Sequence, residues 1–168
     1  GCGKTTLLKH MIGLYRPLTG RVLIDGDDIS ASYGRRRHAI LRKIGVAYQS
    51  GALFGAMPVL EHVRLPLDEF PARPPRALDL VALMKLQLVG LKDAAERAPA
   101  ELSGGMAKRA AIARAMALDP RILFLDEPSA GLDPITSAGL DQLILSLARS
   151  LGITFVIVSH ELASIFTI

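Results

Sequence analysis

Apolar residues recur along this chain in two patterns, one typical of amphipathic helices and one typical of buried strands. Four apolar positions at helical spacing follow the first glycines, whereas short continuous apolar runs occur later in the chain. The predicted elements, in chain order, are a helix ending at Gly13, strands over 21–26 and 44–48, helices over 78–89 and from Ser103 to about 118, a strand over 122–125, a helix over 136–151 and a strand over 153–158.

The alternation of strands and helices indicates an α/β fold with a parallel sheet that is covered on both faces. Ligands of such sheets bind beyond the carboxyl ends of the strands. Between 49 and 75, prolines break every run, and the helical pattern is expected to resume only at 78. We interpret the middle third as a helical insertion.

Length and composition narrow the class of protein. The 168 residues suit one domain, and 50% hydrophobic residues provide for a buried core. Cys2 is the only cysteine, which excludes an intrachain disulfide and favours the cytosol. The apolar runs are far shorter than the roughly 20 residues of a membrane helix, so no direct membrane insertion is expected. The formal net charge of +4 fits an anionic ligand without indicating nucleic acid.

The start of the chain is a candidate phosphate-binding loop. Glycines let backbone N–H groups close around phosphate oxygens, Lys4 can reach the terminal phosphates, and the hydroxyl of Thr5 suits Mg²⁺. The leading glycine of the pattern G-x-x-x-x-G-K-[ST] would precede residue 1, so an ordinary glycine turn stays open as the alternative. The segment reads Gly1, Cys2, Gly3, Lys4, Thr5, Thr6.

Two adjacent carboxylates, Asp126 and Glu127, end the strand predicted over 122–125. Neighbouring residues at a strand end point in different directions. Asp126 can therefore face Mg²⁺ while Glu127 faces a water in line with the terminal phosphate. A solvated acidic turn is the alternative when the pair is taken without the phosphate loop.

A second anion-binding helix start is predicted at 102–106, which reads Leu-Ser-Gly-Gly-Met. A serine N-cap followed by two glycines is the alternative interpretation. This segment matches the signature sequence of ATP-binding cassette (ABC) proteins, and the other motifs follow in that family's order. The chain therefore resembles the nucleotide-binding domain of ABC proteins over essentially its whole length.

The resemblance implies a P-loop NTPase fold, with a mostly parallel sheet and an inserted helical subdomain at about 56–118, in a single domain over 1–168. Gln49 resembles the glutamine that touches Mg²⁺ or the attacking water and senses the membrane partner. Asp133 lies in a segment that resembles the loop crossing the dimer interface, and His160 resembles the switch histidine that holds the γ-phosphate.

The same resemblance implies ATP and Mg²⁺ as ligands and a head-to-tail dimer in which the signature of one subunit faces the phosphate loop of another. The residues that it implies for catalysis are Glu127, His160 and Gln49. Those implied for metal binding are Thr5, Gln49 and Asp126. Those implied for nucleotide binding are Gly1, Cys2, Gly3, Lys4, Thr5, Thr6, Ser103, Gly104, Gly105 and Asp133.

A closer resemblance links the segments 49–54, 84–91, 133–136 and 159–164 to the ATPases of Mla and other MCE-type phospholipid-transport systems. It implies an ATPase subunit on the cytoplasmic face of the inner membrane, peripheral to it, that powers transport of phospholipids or related lipids. Residues 50–59 would receive an MlaE-like permease, with Ala52, Leu53 and Phe54 as apolar contacts. Ordinary core under a loop is the alternative for Leu53 and Phe54.

Two other functions stay open: a soluble ABC ATPase acting on ribosome or DNA, and a non-catalytic cassette. The basic stretch 35–43 lacks interleaved aromatic residues, and a solvated helix face is the favoured interpretation, with no nucleic-acid partner. The family pattern begins inside the phosphate loop and the chain stops soon after His160. We therefore expect a chain truncated at both ends that, expressed by itself, binds ATP poorly and exposes a sheet edge.

Overall fold

A computed structural model describes residues 3–69 and 74–160 of the chain. Its helices are α1 (Lys4–Met11), α2 (Gly34–Leu41), α3 (Val59–Asp68), α4 (Pro75–Leu88), α5 (Gly104–Ala115) and α6 (Pro134–Leu151), with short 3₁₀ turns at Lys92–Ala94 and Pro99–Glu101. Its strands are β1 (Leu23–Ile24), β2 (Asp27–Asp28), β3 (Ile44–Ala47), β4 (Ile122–Asp126) and β5 (Thr154–Val158).

The main sheet consists of β3, β4 and β5, parallel and in that order. The central strand β4 is apolar on both of its faces, since Leu123, Phe124 and Leu125 are all buried. Parallel strands buried in this way need helices on both sides. The predicted α/β fold with a parallel sheet covered on both faces is confirmed.

Two cores lie on opposite faces of this sheet. Leu123 and Leu125 join the larger core with buried residues of α3, α4, α5 and α6. Phe124 points the other way and joins a smaller core with Leu8 of α1 and Ile40 of α2. The alternation of side chains along β4 therefore fixes which helices pack on which face.

The strand predicted over 21–26 is shorter in the structure. β1 ends at Ile24, and the chain reverses through Asp25 and Gly26, both at positive φ, into antiparallel β2. Two consecutive left-handed residues make the tight turn whose twist suits a β-hairpin. The pair Asp25-Gly26 is the sequence signal for this turn.

Helix α3 corrects the expectation that prolines keep 49–75 free of a regular run. Val59, Val63 and Leu67 lie four residues apart on one face and are buried. The N–H groups of Val59 and Leu60 donate to the carbonyls of Arg97 and Ala95 at 3.0 and 2.8 Å, which replaces a side-chain cap. Pro66 falls in the last turn, where burial of the apolar face outweighs one lost hydrogen bond.

The basic stretch 35–43 forms α2 and the turn after it. Arg36 is 71% exposed, and Lys43 pairs with Asp25 at 3.2 Å and Asp27 at 2.8 Å. Within the described residues, no helix is both long and apolar enough to cross a membrane.

Candidate functional site

The site lies where the three parallel strands end together. Ala47 of β3 is opposite Leu125 of β4, and Leu125 is opposite Ile157 of β5. Gln49 and Glu127 each follow these partners by two residues, and His160 follows by three. The register alone therefore brings three polar side chains that the sequence singled out to one edge of the sheet.

The start of α1 faces this edge. Gly3 precedes the helix at φ 83°, a left-handed conformation that glycine adopts without steric cost. Lys4 and Thr6 lie exposed in the first turn. Thr5 Oγ1 donates to Asp126 Oδ1 at 3.2 Å, which ties the helix start to the end of β4.

Asp126 is 6% exposed, and its contact with Thr5 places a hydroxyl and a carboxylate oxygen side by side. Hard oxygen ligands of this kind suit Mg²⁺, which proteins commonly bind through one or two carboxylates together with substrate phosphates. The described part of the chain holds no cluster of three or more His, Cys, Asp or Glu residues with metal-ligand geometry. The Thr5 hydroxyl and the Asp126 carboxylate are oxygen donors of the kind that fits an ion held jointly with a phosphate ligand.

Glu127 adopts φ 51°, which is uncommon for a residue with a side chain. Its N–H donates to Val158 O at 2.8 Å, so the backbone turns directly against β5. The Nδ1 of His160 lies 2.7 Å from Glu127 Oε2, and the His160 N–H donates to the same oxygen at 3.3 Å. This conformation aims the Glu127 carboxylate at His160, and its side chain is only 13% exposed.

Gln49 is exposed beyond β3. Its carbonyl oxygen accepts from Lys108 Nζ at 2.5 Å, and the same ammonium donates to Glu127 O at 3.3 Å. Arg114 donates to Ala52 O and Gly51 O at 2.6 and 2.8 Å. Reasoning from the sequence missed both cations. For Arg114, the sequence offered a signal, namely a charged residue among the otherwise small and apolar residues 110–115 of α5.

Ser103 caps α5, since its Oγ accepts from the Met106 N–H at 3.3 Å. Gly104 lies exposed at the first position of the helix, and Gly105 is buried beside α6. A Cβ on Gly105 would lie 2.5 Å from Thr136 Cγ2. The second glycine of this segment is therefore required by close packing on the start of α6.

Asp133 is the N-cap of α6. Its carboxylate accepts from the N–H groups of Ile135 and Thr136 at 3.1 and 3.0 Å, and from Thr136 Oγ1 at 2.5 Å. The hydroxyl of Thr136, followed by backbone N–H donors, holds the pKa of Asp133 below its usual value. This capping role was not predicted from the sequence.

The segment 50–59 has an exposed and a buried side. Phe54 is 59% exposed, yet its N–H donates to Nε2 of the fully buried His62 at 2.6 Å, and its ring stacks on the imidazole at 5.7 Å. Because Nε2 accepts, His62 carries its proton on Nδ1, which lies 3.0 Å from Pro58 O. His62 therefore holds an exposed aromatic ring in a fixed place.

Gly1 and Cys2 of the phosphate loop lie outside the described residues. Residues 161–164 of the segment 159–164, which resembles the Mla-type ATPases, lie outside them as well. The other site residues are described. The structure brings together Thr5, Asp126, Glu127, His160 and the backbone of Gln49. Ser103–Gly105 and Asp133 lie at the adjoining starts of α5 and α6.

This arrangement is that of an ATP-binding cassette, and the chain belongs to the ABC transporter family, whose model matches residues 1–130. Among solved structures, it is similar to a dimeric ATP-binding cassette in a post-hydrolysis state with ADP and Pi. The TM-score is 0.84 and the identity 34%, covering 96% of this chain and 72% of that one. The protein cbiO1 from Clostridium perfringens, part of the ABC transporter complex cbiONQ, has a TM-score of 0.84 and 30% identity, covering 96% of this chain and 64% of that one.

The curated relatives of this chain carry the names of transport proteins. The chain is 45% identical to the intermembrane phospholipid transport system ATP-binding protein MlaF of Escherichia coli K12 over all 168 residues. It is 43% identical to the probable ribonucleotide transport ATP-binding protein mkl of Mycobacterium leprae over 161 residues, 96% of this chain and 46% of that protein. The chain spans 62% of the length of MlaF.

Proposed function

We propose that this chain binds and hydrolyses ATP to power an ABC transporter that moves phospholipids or related lipids across or between bacterial membranes. The observation that carries the ATPase part is the Thr5–Asp126 contact beside the Glu127–His160 pair, at one edge of a parallel sheet. A phosphate-binding helix start, a metal-binding carboxylate and a general base lie within one site in this arrangement.

In the proposed reaction, Gly3, Lys4, Thr5 and Thr6 bind the phosphates of ATP at the start of α1, where the helix dipole favours anions. Thr5, Asp126 and Gln49 would hold Mg²⁺, which when bound neutralises charge on the phosphates. Glu127 orients the attacking water and accepts its proton, and His160 donates to the terminal phosphate.

The proposed assembly is a head-to-tail dimer. Ser103, Gly104 and Asp133 lie exposed at the starts of α5 and α6, where Gly105 is buried. The nucleotide is bound at the start of α1 in this proposal, and a second subunit would bring its own copy of these four residues to it. The similarity to dimeric cassette structures supports this assembly.

The proposed membrane partner is an MlaE-like permease that contacts residues 50–59. The exposed ring of Phe54 and the exposed Ala52 support an apolar contact there.

We further propose that residues 56–118, which include α3, α4 and α5, form the helical subdomain of a single cassette. In this proposal the protein is peripheral, at the cytoplasmic face of the inner membrane.

The test uses Glu127→Gln in the full-length protein assembled with its permease. We expect ATP binding to persist, while phosphate release and phospholipid transfer between vesicles both fall by roughly a hundredfold or more, since the general base is lost. Glu96→Gln, at an exposed position outside the site, is the matched control. Unchanged phosphate release would remove Glu127 as the base. Wild-type hydrolysis that drives transfer of nucleotides and not of phospholipids would refute the lipid cargo.

A further inference from the structure

Two cations of α5 donate hydrogen bonds to backbone oxygens of the segment 49–52. Lys108 Nζ lies 2.5 Å from Gln49 O, and the Arg114 guanidinium reaches Gly51 O and Ala52 O at 2.8 and 2.6 Å. These residues are 59 to 63 positions apart in the chain. The contacts therefore join the end of β3 to a helix that begins at the signature segment.

The backbone of this segment is shaped to meet Arg114. Gly51 and Ala52 adopt φ 70° and 46°, two consecutive left-handed residues. A residue with a Cβ rarely adopts this conformation without compensating contacts. The two charge-assisted hydrogen bonds from Arg114 supply that compensation and hold both carbonyls on the same side.

Arg114 is also costly to separate from these carbonyls. Burial lowers the pKa of its guanidinium, with the charge of Tyr48 acting in the opposite direction. A partly desolvated guanidinium that lost both acceptors would leave an uncompensated charge, which is strongly unfavourable. A motion that separates the segment 49–52 from α5 would therefore carry this free-energy cost.

Lys108 extends the connection to the reacting groups. Its ammonium donates to Gln49 O and to Glu127 O, at 2.5 and 3.3 Å, and so bridges the ends of β3 and β4. Lys108 is one helical turn beyond Gly105, the signature glycine buried against α6. A displacement of the start of α5 is thereby transmitted to the backbone that carries Gln49 and Glu127.

We propose that Lys108 and Arg114 are positioning residues that make the placement of Gln49 and Glu127 depend on the position of α5. Docking of a second subunit against the signature segment then sets the geometry of hydrolysis in this chain's own site. The proposal rests on the proposed ATPase function. It assigns to both residues an effect on turnover rather than on nucleotide affinity, because their hydrogen bonds end on backbone oxygens of the segment 49–52 and of Glu127.

The experiment measures equilibrium binding of ATP and steady-state phosphate release in the full-length protein for Lys108→Met, Lys108→Arg and Arg114→Lys. We expect Lys108→Met to lower kcat at least about tenfold, since small misplacements of catalytic groups have effects of this size. ATP affinity should stay within about twofold. Lys108→Arg restores a cationic donor and should recover most of kcat. Arg114→Lys cannot reach both carbonyls in fork geometry and should lose kcat in the same way.

Lys92→Met, the same change at an exposed position, should behave as wild type. The melting temperature of each variant shows whether a lowered kcat comes from unfolding of the protein. A variant that melts at the wild-type temperature and has a lowered kcat has misplaced catalytic groups. The proposal also requires that Lys108→Arg is folded and has its kcat restored. An unchanged kcat in Lys108→Met, or a loss of ATP affinity equal to the loss of kcat, would overturn the proposal. A wild-type protein that releases no phosphate would refute the ATPase function instead, and leave the contacts without this role.

Discussion

At the scale of single residues, the carboxylate of Asp133 caps the start of α6. It accepts three hydrogen bonds at the start of α6, and the same start lies beside the signature segment. The carboxylate form is favoured because both the Thr136 hydroxyl and backbone N–H groups donate to it. The stability of α6 is thereby linked to pH.

The sign of this dependence follows from the lowered pKa. Stabilisation from Asp133 is complete above the ordinary aspartate pKa, about 3.9, and is lost as the pH falls through the lower pKa of the folded state. We expect Asp133→Asn to flatten the acid side of a plot of urea midpoint against pH, while still capping α6. The isosteric Thr136→Val removes the donor with the largest effect and should flatten the plot in part. A slope identical to wild type in both variants would contradict this assignment.

At the scale of elements, the contact between α5 and α6 depends on one missing side chain. The Cβ of an alanine at 105 would overlap the Thr136 methyl, whose β-branched side chain has little rotamer freedom. We expect Gly105→Ala to lower the free energy of unfolding by roughly 1–3 kcal/mol, the usual effect of overpacking. Chemical denaturation would measure it.

A second substitution makes this prediction specific. Thr136→Ser removes the obstructing methyl and keeps the hydroxyl that donates to Asp133. The double variant should therefore recover most of the loss, and the coupling energy between the two positions should be clearly non-zero. Additive effects would mean that the overlap at Gly105 is not the cause.

Elements with a strong local signal were predictable from the sequence, and elements stabilised from afar were not. Ser103 marks the start of α5, and apolar runs mark β4 and β5 within one residue, whereas α6 begins two residues before the predicted Thr136. α3 was missed because Pro58 and Pro66 predict a break when only neighbouring residues are considered. The helix forms because α4 and α5 bury its apolar face.

The site divides in a similar way. Asp126 and Glu127 follow from strand and motif, and the sheet register then brings His160 to them. Lys108 and Arg114 contact carbonyl oxygens about 60 positions away, and a backbone carbonyl has no residue-specific signal in a sequence. Such contacts become visible only once the fold places the helix against the loop.

At the scale of the whole molecule, the phosphate loop opens α1 and the signature segment opens α5, two different helices of one chain. If two chains complete each site, the rate of phosphate release per chain should rise with protein concentration until the dimer is saturated. ATP binding to the phosphate loop should change much less over the same range. A rate per chain that is constant down to nanomolar concentrations, with a monomeric mass in solution, would contradict a dimeric site.

Because the hydrogen bonds from Lys108 and Arg114 to this segment end on main-chain oxygens, they need no particular side chain of the segment as their acceptor. The exposed side chains of Ser50 and Phe54 can therefore be replaced while these hydrogen bonds are preserved, whereas the left-handed backbone of Gly51 and Ala52 restricts substitution there. Under the proposed function, the contact with a membrane partner and the positioning of Gln49 and Glu127 thus rest on different atoms of one segment. Exchanging Ser50 and Phe54 between cassettes is accordingly a way to change the proposed membrane contact while the backbone hydrogen bonds stay the same.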